Sequence, residues 1–263
     1  MACRPTRFLL FQYCRIKKKL YKWRELWQLQ RQPANLRHFE KRIYSQNGED
    51  GILEEVFRRV GTTNRFFVEC GAQDGIQCCT RNLLENFSWT GVWIDCVTEH
   101  AVNAKSMFEK FPVTIIERFL TAENIVSVFR EAGVVAEPDL MSIDVDGNEY
   151  WLWKALAEYY RPRVVITEYN ATFGAKAEWV IPYDPQHRYD GTAYTGASLN
   201  ALAVFGKQNG YSLVGCESTG VNALFVRDDV AAQHFGELGK PVSCHYVAPH
   251  FDWWFGHPLT KLT

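Results

Sequence analysis

The sequence predicts an alternating α/β fold around a mostly parallel, seven-stranded sheet, and three observations carry that prediction. From Arg65 onward, short β-branched or aromatic runs alternate with helix-patterned stretches, the signature of βαβ units with right-handed crossovers. The last two strand-like runs are separated only by Cys216–Gly220, too few residues for a crossover helix, so they should pair as an antiparallel hairpin. The 263 residues, 47% of them hydrophobic and 14% aromatic, suffice for one sizeable core plus a short extension.

Strands are expected at Phe66–Cys70, Gly91–Asp95, Val113–Glu117, Asp139–Val145, Val164–Tyr169, Tyr211–Gly215 and Val221–Arg227. Helices are expected near 50–59, 79–87, 99–110, 122–132, 148–160 and 197–209. In the helix 148–160, Trp151, Leu152, Ala155, Leu156 and Tyr159 share one face, as a helix covering a sheet requires. Segment 171–195, rich in Gly, Pro, Tyr and Asp, is too long for an ordinary connection and reads as a functional insertion. A parallel sheet closed by an antiparallel hairpin is the Rossmann-like class I methyltransferase arrangement, which plain dinucleotide dehydrogenases lack.

Residues 1–42 form a separate piece: twelve Lys/Arg face only Glu25 and Glu40, although the whole chain has a net charge of −1. Leu9, Tyr13, Ile16, Leu20, Trp23 and Trp27 recur in steps of three and four, which places one apolar, aromatic stripe on an amphipathic helix. Arg15, Lys17, Lys18, Lys19, Lys22 and Arg24 make its other face basic. Such a helix fits an anionic membrane surface or another polyanion. It also fits packing on the domain or on a second copy of the chain in a homodimer. No run approaches the roughly 20 apolar residues that span a bilayer. The apolar stretch Phe8–Phe11 is too short for a secretory signal. Eight cysteines contain no C-x-x-C pair, so neither a disulfide framework nor a zinc ribbon is expected. A cytoplasmic protein, peripheral at the inner membrane face, is the resulting expectation, and no feature points to specific nucleic-acid binding.

The strongest local signal is Val68-Glu69-Cys70-Gly71-Ala72-Gln73-Asp74-Gly75, a turn placed directly after the first strand. A side chain at Gly71 would block the approach of a ligand to the backbone, and Gly75 permits a tight exit toward the next helix. Glu69 at the strand end can pair with an ammonium group, and Asp95, ending the second strand, can grip a ribose diol. Neither a G-x-G-x-x-G turn nor a G-x-x-x-x-G-K-[ST] loop is present, which counts against NAD, FAD and nucleoside triphosphates. Together Glu69, Gly71, Asp74, Gly75 and Asp95 point to a cofactor site, joined by Gln46 from the stretch Ser45-Gln46-Asn47-Gly48-Glu49-Asp50.

These stretches, with Ser142-Ile143-Asp144-Val145-Asp146-Gly147-Asn148-Glu149, Val165–Asn170, Pro182–Pro185, Tyr194–Leu199 and Gly220–Arg227, resemble the FkbM-like methyltransferase family, in particular members carrying a Ser-Gln-Asn-Gly-Glu-Asp motif. The likeness spans about residues 43–228, which makes that stretch the methyltransferase domain, with the basic extension 1–42 before it and a tail 229–263 packing on it. It implies an S-adenosylmethionine-dependent O-methyltransferase acting on a sugar or other small-molecule hydroxyl. By the resemblance Glu69, Gly71 and Asp95 map to the cofactor, and Asp144 and Asp146 to the acidic motif near the transfer site.

An alcohol acceptor must be aimed at the methyl carbon and lose its proton. Asp144, Asp146 and Glu149 follow the fourth strand while Glu168 and Asn170 end the fifth, so all are expected at one rim. Crowded carboxylates raise one another's pKa, which suits Asp144, Asp146 or Glu168 as general base. Alternatively Asp144, Glu168 and Asn170 are hard oxygen ligands for Mg²⁺. Asn170, Tyr183, Asp184, His187 and Tyr194 are expected on the acceptor side, where rings and hydrogen-bonding groups suit a sugar or aromatic compound. Cys244, His245, His250, Asp252 and His257 match no common zinc spacing, and with Trp253, Trp254 and Phe255 among them they read as a packed tail. A protein that kept the fold but lost catalysis, working through its basic helix, is the alternative.

Overall fold

The computed structural model describes residues 35–235 and 238–249. The amphipathic stripe Leu9–Trp27 and the tail residues His250, Asp252, Trp253, Trp254, Phe255 and His257 lie outside the described residues.

Seven strands form one sheet: β1 (Phe66–Cys70), β2 (Thr90–Asp95), β3 (Val113–Glu117), β4 (Leu140–Ile143), β5 (Val164–Glu168), β6 (Tyr211–Cys216) and β7 (Asn222–Arg227), in the order β3-β2-β1-β4-β5-β7-β6. The first five are parallel to one another, and β7 runs antiparallel between β5 and β6. The expected hairpin is therefore present, and this order is the Rossmann-like class I methyltransferase arrangement. Strand order reverses between β1 and β4, which opens a crevice at their carboxyl ends.

Eight α-helices are defined among the described residues: α1 (Glu49–Val60), α2 (Arg81–Phe87), α3 (Thr98–Met107), α4 (Ile125–Glu131), α5 (Glu149–Leu156), α6 (Leu199–Gln208), α7 (Asp228–Ala231) and α8 (Val242–His245). Two apolar layers form, one on each face of the sheet. Ile52, Leu53 and Val56 of α1 pack with Phe67 and Trp93 on one side. Ile125 and Phe129 of α4, Leu152 and Trp153 of α5 and Leu202 of α6 pack with Val68, Ile94 and Val165 on the other. Because both faces are covered, the central strands read as near-continuous apolar runs.

Three expectations about these elements need correction. Strand β4 starts at Leu140 because Asp139 is fully buried and accepts the backbone N–H groups of Thr63, Asn64 and Arg65, at 2.7–2.9 Å, beside the Arg163 guanidinium. It stops at Ile143 because the chain turns into a loop in which Asp146 takes a left-handed conformation (φ +62°). Helix α5 ends at Leu156 and buries Leu152, Trp153 and Leu156, whereas Tyr159 is 51% exposed with the Arg130 guanidinium over its ring. The buried face is thus rotated toward Trp153.

The described end of the tail docks on the domain. Tyr246 Oη donates to Ala171 O at 2.7 Å, Tyr169 Oη donates to Val247 O at 3.0 Å, and Val247 is buried. Cys244 is exposed while His245 is buried, so the two do not face a common site. Among the described residues, no helix is long and apolar enough to cross a membrane.

Candidate functional site

A cavity of about 270 Å³, open to solvent, lies at the carboxyl edge of the sheet over the β1/β4 switch point. Pockets for drug-sized ligands hold about 300–1,000 Å³, and this cavity lies just below that range. Every parallel strand sends a loop into its wall: Gly71 and Gln73 after β1, Asp95 and Cys96 after β2, Arg118–Leu120 after β3, Asp144–Asp146 after β4 and Glu168 at the end of β5.

Gly71 has φ +85°, and a Cβ there would sit 1.6 Å from the carbonyl oxygen of Asp144. The glycine is required by the neighbouring strand's backbone rather than by a ligand, which corrects the expected reason while keeping Gly71 in the cavity wall. Gly75 (φ +77°) does not line the cavity; its missing side chain makes room for Trp93, 2.5 Å from where a Cβ would stand. Asp74 does not line it either, and its Oδ1 accepts the Ile76 N–H in a local turn. Asp74 and Gly75 therefore shape the loop and do not line the cavity.

Glu69 and Asp95 do line the cavity, but both already hold the loops together. Glu69 is buried and accepts Cys79 N, Thr80 N and Thr80 Oγ1. Asp95 accepts Gln73 N and Val97 N and contacts His100 Nδ1 at 3.1 Å. A carboxylate has about four lone-pair sites, so each keeps about one for a ligand. Burial pushes the Glu69 carboxyl above its usual range even against these donors.

The Ser-Gln-Asn-Gly-Glu-Asp stretch divides by role. Asp50 is buried, and its Oδ2 accepts the N–H groups of Ile43, Tyr44 and Ser45 and the Ser45 hydroxyl. That grip projects Gln46 and Asn47 into the cavity wall. Glu49 accepts Asn47 N and Asn222 Nδ2, which ties the stretch to β7.

Asp144, Asp146 and Glu168 bring one carboxylate oxygen each to within 4.8 Å of one another. Burial, then the Glu149 and Asp146 carboxylates, push Asp144 up to about 7. Burial and Asp144 push Glu168 well up, and burial and Asp95 raise Asp146. The expected crowding of acids is therefore present. Glu149, expected at the same rim, instead accepts Val145 N and Gly147 N and folds the turn that presents Asp144 and Asp146.

Asn170 leaves the site. Its Nδ2 donates to Ala193 O and Thr195 O while its Oδ1 accepts Thr172 N and Oγ1, so all its hydrogen-bonding capacity is spent on segment 171–195. It does not line the cavity, and Asp146 takes its place in the cluster of hard oxygen donors. Tyr183 likewise lies outside: its hydroxyl donates to Glu123 and accepts Ala122 N, fastening the segment beside α4. Asp184 is exposed and bonds Gln186 N, and Tyr194 is 41% exposed against Trp179. Of the five acceptor-side candidates only His187 is in the wall, with Nε2 3.3 Å from Thr195 Oγ1, which itself donates to Asp146 O.

Arg118, Phe119, Gln73, Gln77 and Asn148 belong to the wall without having been expected. For Arg118 and Phe119 a signal existed, since they follow a parallel strand at the same edge. Asn148 donates from Nδ2 to Asp184 O, and its buried Oδ1 has no partner among the described residues.

No family model and no curated protein matches the chain. Among solved structures, an O-methyltransferase from Bacillus cereus in complex with SAH is 18% identical, covering 71% of this chain and 84% of its own, with a TM-score of 0.44. An S-adenosylmethionine-dependent methyltransferase from Clostridium acetobutylicum is 10% identical, covering 66% and 89%, with a TM-score of 0.42. What those proteins bind and modify is theirs. The resemblance is one of fold.

Proposed function

We propose that this chain is an S-adenosylmethionine-dependent methyltransferase that O-methylates a sugar or small-molecule hydroxyl, as its FkbM-like stretches imply. The observation that carries the reading is the meeting of Asp144, Asp146 and Glu168 at the switch-point cavity, beside the Gly71 loop and the strand-end acid Asp95. When bound, S-adenosylmethionine supplies a methyl carbon whose bond to sulfur breaks as the acceptor oxygen bonds to it, leaving a neutral thioether. The remaining lone pair of Asp95 suits a ribose hydroxyl, and that of Glu69 suits an ammonium group. Asp144 takes the acceptor's hydroxyl proton, and burial together with its neighbouring acids makes it a stronger base than an isolated aspartate. His187 and Thr195 close the acceptor side over Asp146.

Calorimetric titration with S-adenosylmethionine and with NAD tests the reading: micromolar binding of the first alone is expected, and preference for the second refutes it. Asp144→Asn should keep cofactor binding and lower kcat by about 10²–10⁴-fold. A fully active variant removes Asp144 from the chemistry.

The three clustered oxygens favour a second reading, in which Asp144, Asp146 and Glu168 hold Mg²⁺ that orients the acceptor. Loss of turnover in EDTA, restored by Mg²⁺, would select it. The positive charge of residues 1–42 supports attachment to an anionic membrane surface. Flotation of the full chain with phosphatidylserine vesicles, lost on deleting residues 1–30, is expected.

A further inference from the structure

Segment 171–195 carries a feature that the reaction does not use. Phe173 and Trp179 stack with ring centroids 4.3 Å apart and planes 28° from parallel. Tyr194 meets Trp179 edge-on, with centroids 5.4 Å apart. Phe173 and Trp179 are half-buried and Tyr194 is 41% exposed, so three adjoining rings reach the surface.

The rings are held by backbone bonds and not by an apolar core. Trp179 N donates to Ser198 Oγ, Ser198 N donates to Trp179 O, and Val180 bridges Ala197. Tyr194 stands between Ala193 and Thr195, whose carbonyls both accept Asn170 Nδ2. Thr195 Oγ1 in turn touches Asp146 O and His187 Nε2 in the cavity wall. Tyr194 is therefore one residue, about 3.8 Å between Cα atoms, from Thr195, which bonds the main-chain carbonyl of Asp146. Neither the Trp179 indole N–H nor the Tyr194 hydroxyl has a hydrogen-bond partner among the described residues.

Charge narrows the occupant. Glu49, Glu69, Asp95, Asp144, Asp146 and Glu168 line the cavity against Arg118 and His187, so an anionic acceptor would be repelled as it entered. A neutral sugar ring matches what remains. Its C–H face is electropositive and complements the negative face of an aromatic ring, and its rim hydroxyls can pair with the free indole N–H and phenol.

We propose that Phe173, Trp179 and Tyr194 form an outer subsite for a neutral sugar ring, so that the acceptor is a glycan or glycoside spanning the aromatic face and the acidic cluster. The statement about the acceptor rests on the methyltransferase reading; the subsite itself does not.

The test uses the full chain saturated with S-adenosylhomocysteine on an array of neutral and sialylated oligosaccharides, followed by calorimetric titration with the strongest neutral trisaccharide. Binding to neutral glycans is expected, weakened about two- to tenfold by Trp179→Ala and by Tyr194→Ala, and largely kept in Trp179→Phe. If Trp179→Ala fails to fold by circular dichroism, Tyr194→Ala decides. Binding to no neutral glycan, preference for sialylated ones, or unchanged affinity in the alanine variants overturns the proposal. So does a change of mass by light scattering in Tyr194→Ala, which would assign the rings to an interface between copies. Separate titration with S-adenosylmethionine keeps the two readings distinct: glycan binding without cofactor binding defeats the methyltransferase reading and leaves the subsite standing.

Discussion

Replacing Gly71 with alanine tests how the rim is built. The new Cβ would stand 1.6 Å from the Asp144 carbonyl oxygen, and the residue would keep φ near +85°. A left-handed conformation costs an L-residue about 1–2 kcal/mol. Forcing an atom into filled space costs about 1–3 kcal/mol more, so the loss should be about 2–5 kcal/mol of a total near 5–15 kcal/mol. Gly133 supplies the control, because it has φ +70° and nothing within 4 Å of its Cβ position. Gly133→Ala should therefore lose only the conformational part, about 1–2 kcal/mol. Urea denaturation of both variants measures the difference, and titration with S-adenosylmethionine shows whether the displaced rim still binds. The reasoning fails if Gly71→Ala is no less stable than Gly133→Ala and binds the cofactor as tightly as the parent.

Three further outcomes are expected. Glu69→Gln replaces an acceptor of three hydrogen bonds by a group with half the acceptor capacity, and should lower stability by about 1–3 kcal/mol; an unchanged thermal midpoint would contradict its role in holding the Cys79–Thr80 loop. Asn170→Ala should expose segment 171–195 to limited proteolysis while any divalent-cation dependence of turnover stays as it was, and equal digestion rates would show that other bonds hold the segment. Glu40 is pushed up from 4.5 to about 7, chiefly by burial, so the folded chain binds its proton more tightly than the unfolded one does. Its contribution to stability should thus be fully present below about 4.5 and lost as pH rises through 7. Glu40→Gln, which mimics the protonated carboxyl facing Ser218, should stabilise the chain at pH 8 and change little at pH 4.5. Equal gains at both pH values would refute it.

The strands were legible because burial on both faces leaves near-continuous apolar runs such as Phe66–Cys70, and because the β-branched residues of the edge strand Val113–Glu117 mark it as extended, both with bounds that match the structure. Strand-end acids were legible as a group, since parallel strands deliver their last residues to one edge. Individual roles were not, because carboxylates and amides spend themselves on backbone N–H and C=O groups that only the folded chain brings near. Glu149 closes its own turn, Asp50 grips 43–45, and Asn170 ties down 193–195. Tyr183 shows the same limit: its composition suited an acceptor site, but its hydroxyl found Glu123 sixty residues away. Gly75 illustrates the other gap, because the sequence signals a turn but not the indole of Trp93 against it.

The contact between Gly71 and the Asp144 carbonyl limits how the cavity can diversify. Asp144 N–H also bonds Cys70 O, so the loops leaving β1 and β4 are locked to each other on both sides. The spacing from the Gly71 loop to the acidic cluster is thus set by main chain, beyond the reach of most side-chain changes. Under the proposed methyl transfer, evolution of a new acceptor preference would then fall on 171–195, where bonds from Asn148, Asn170 and Tyr183 can be exchanged without moving the acidic cluster.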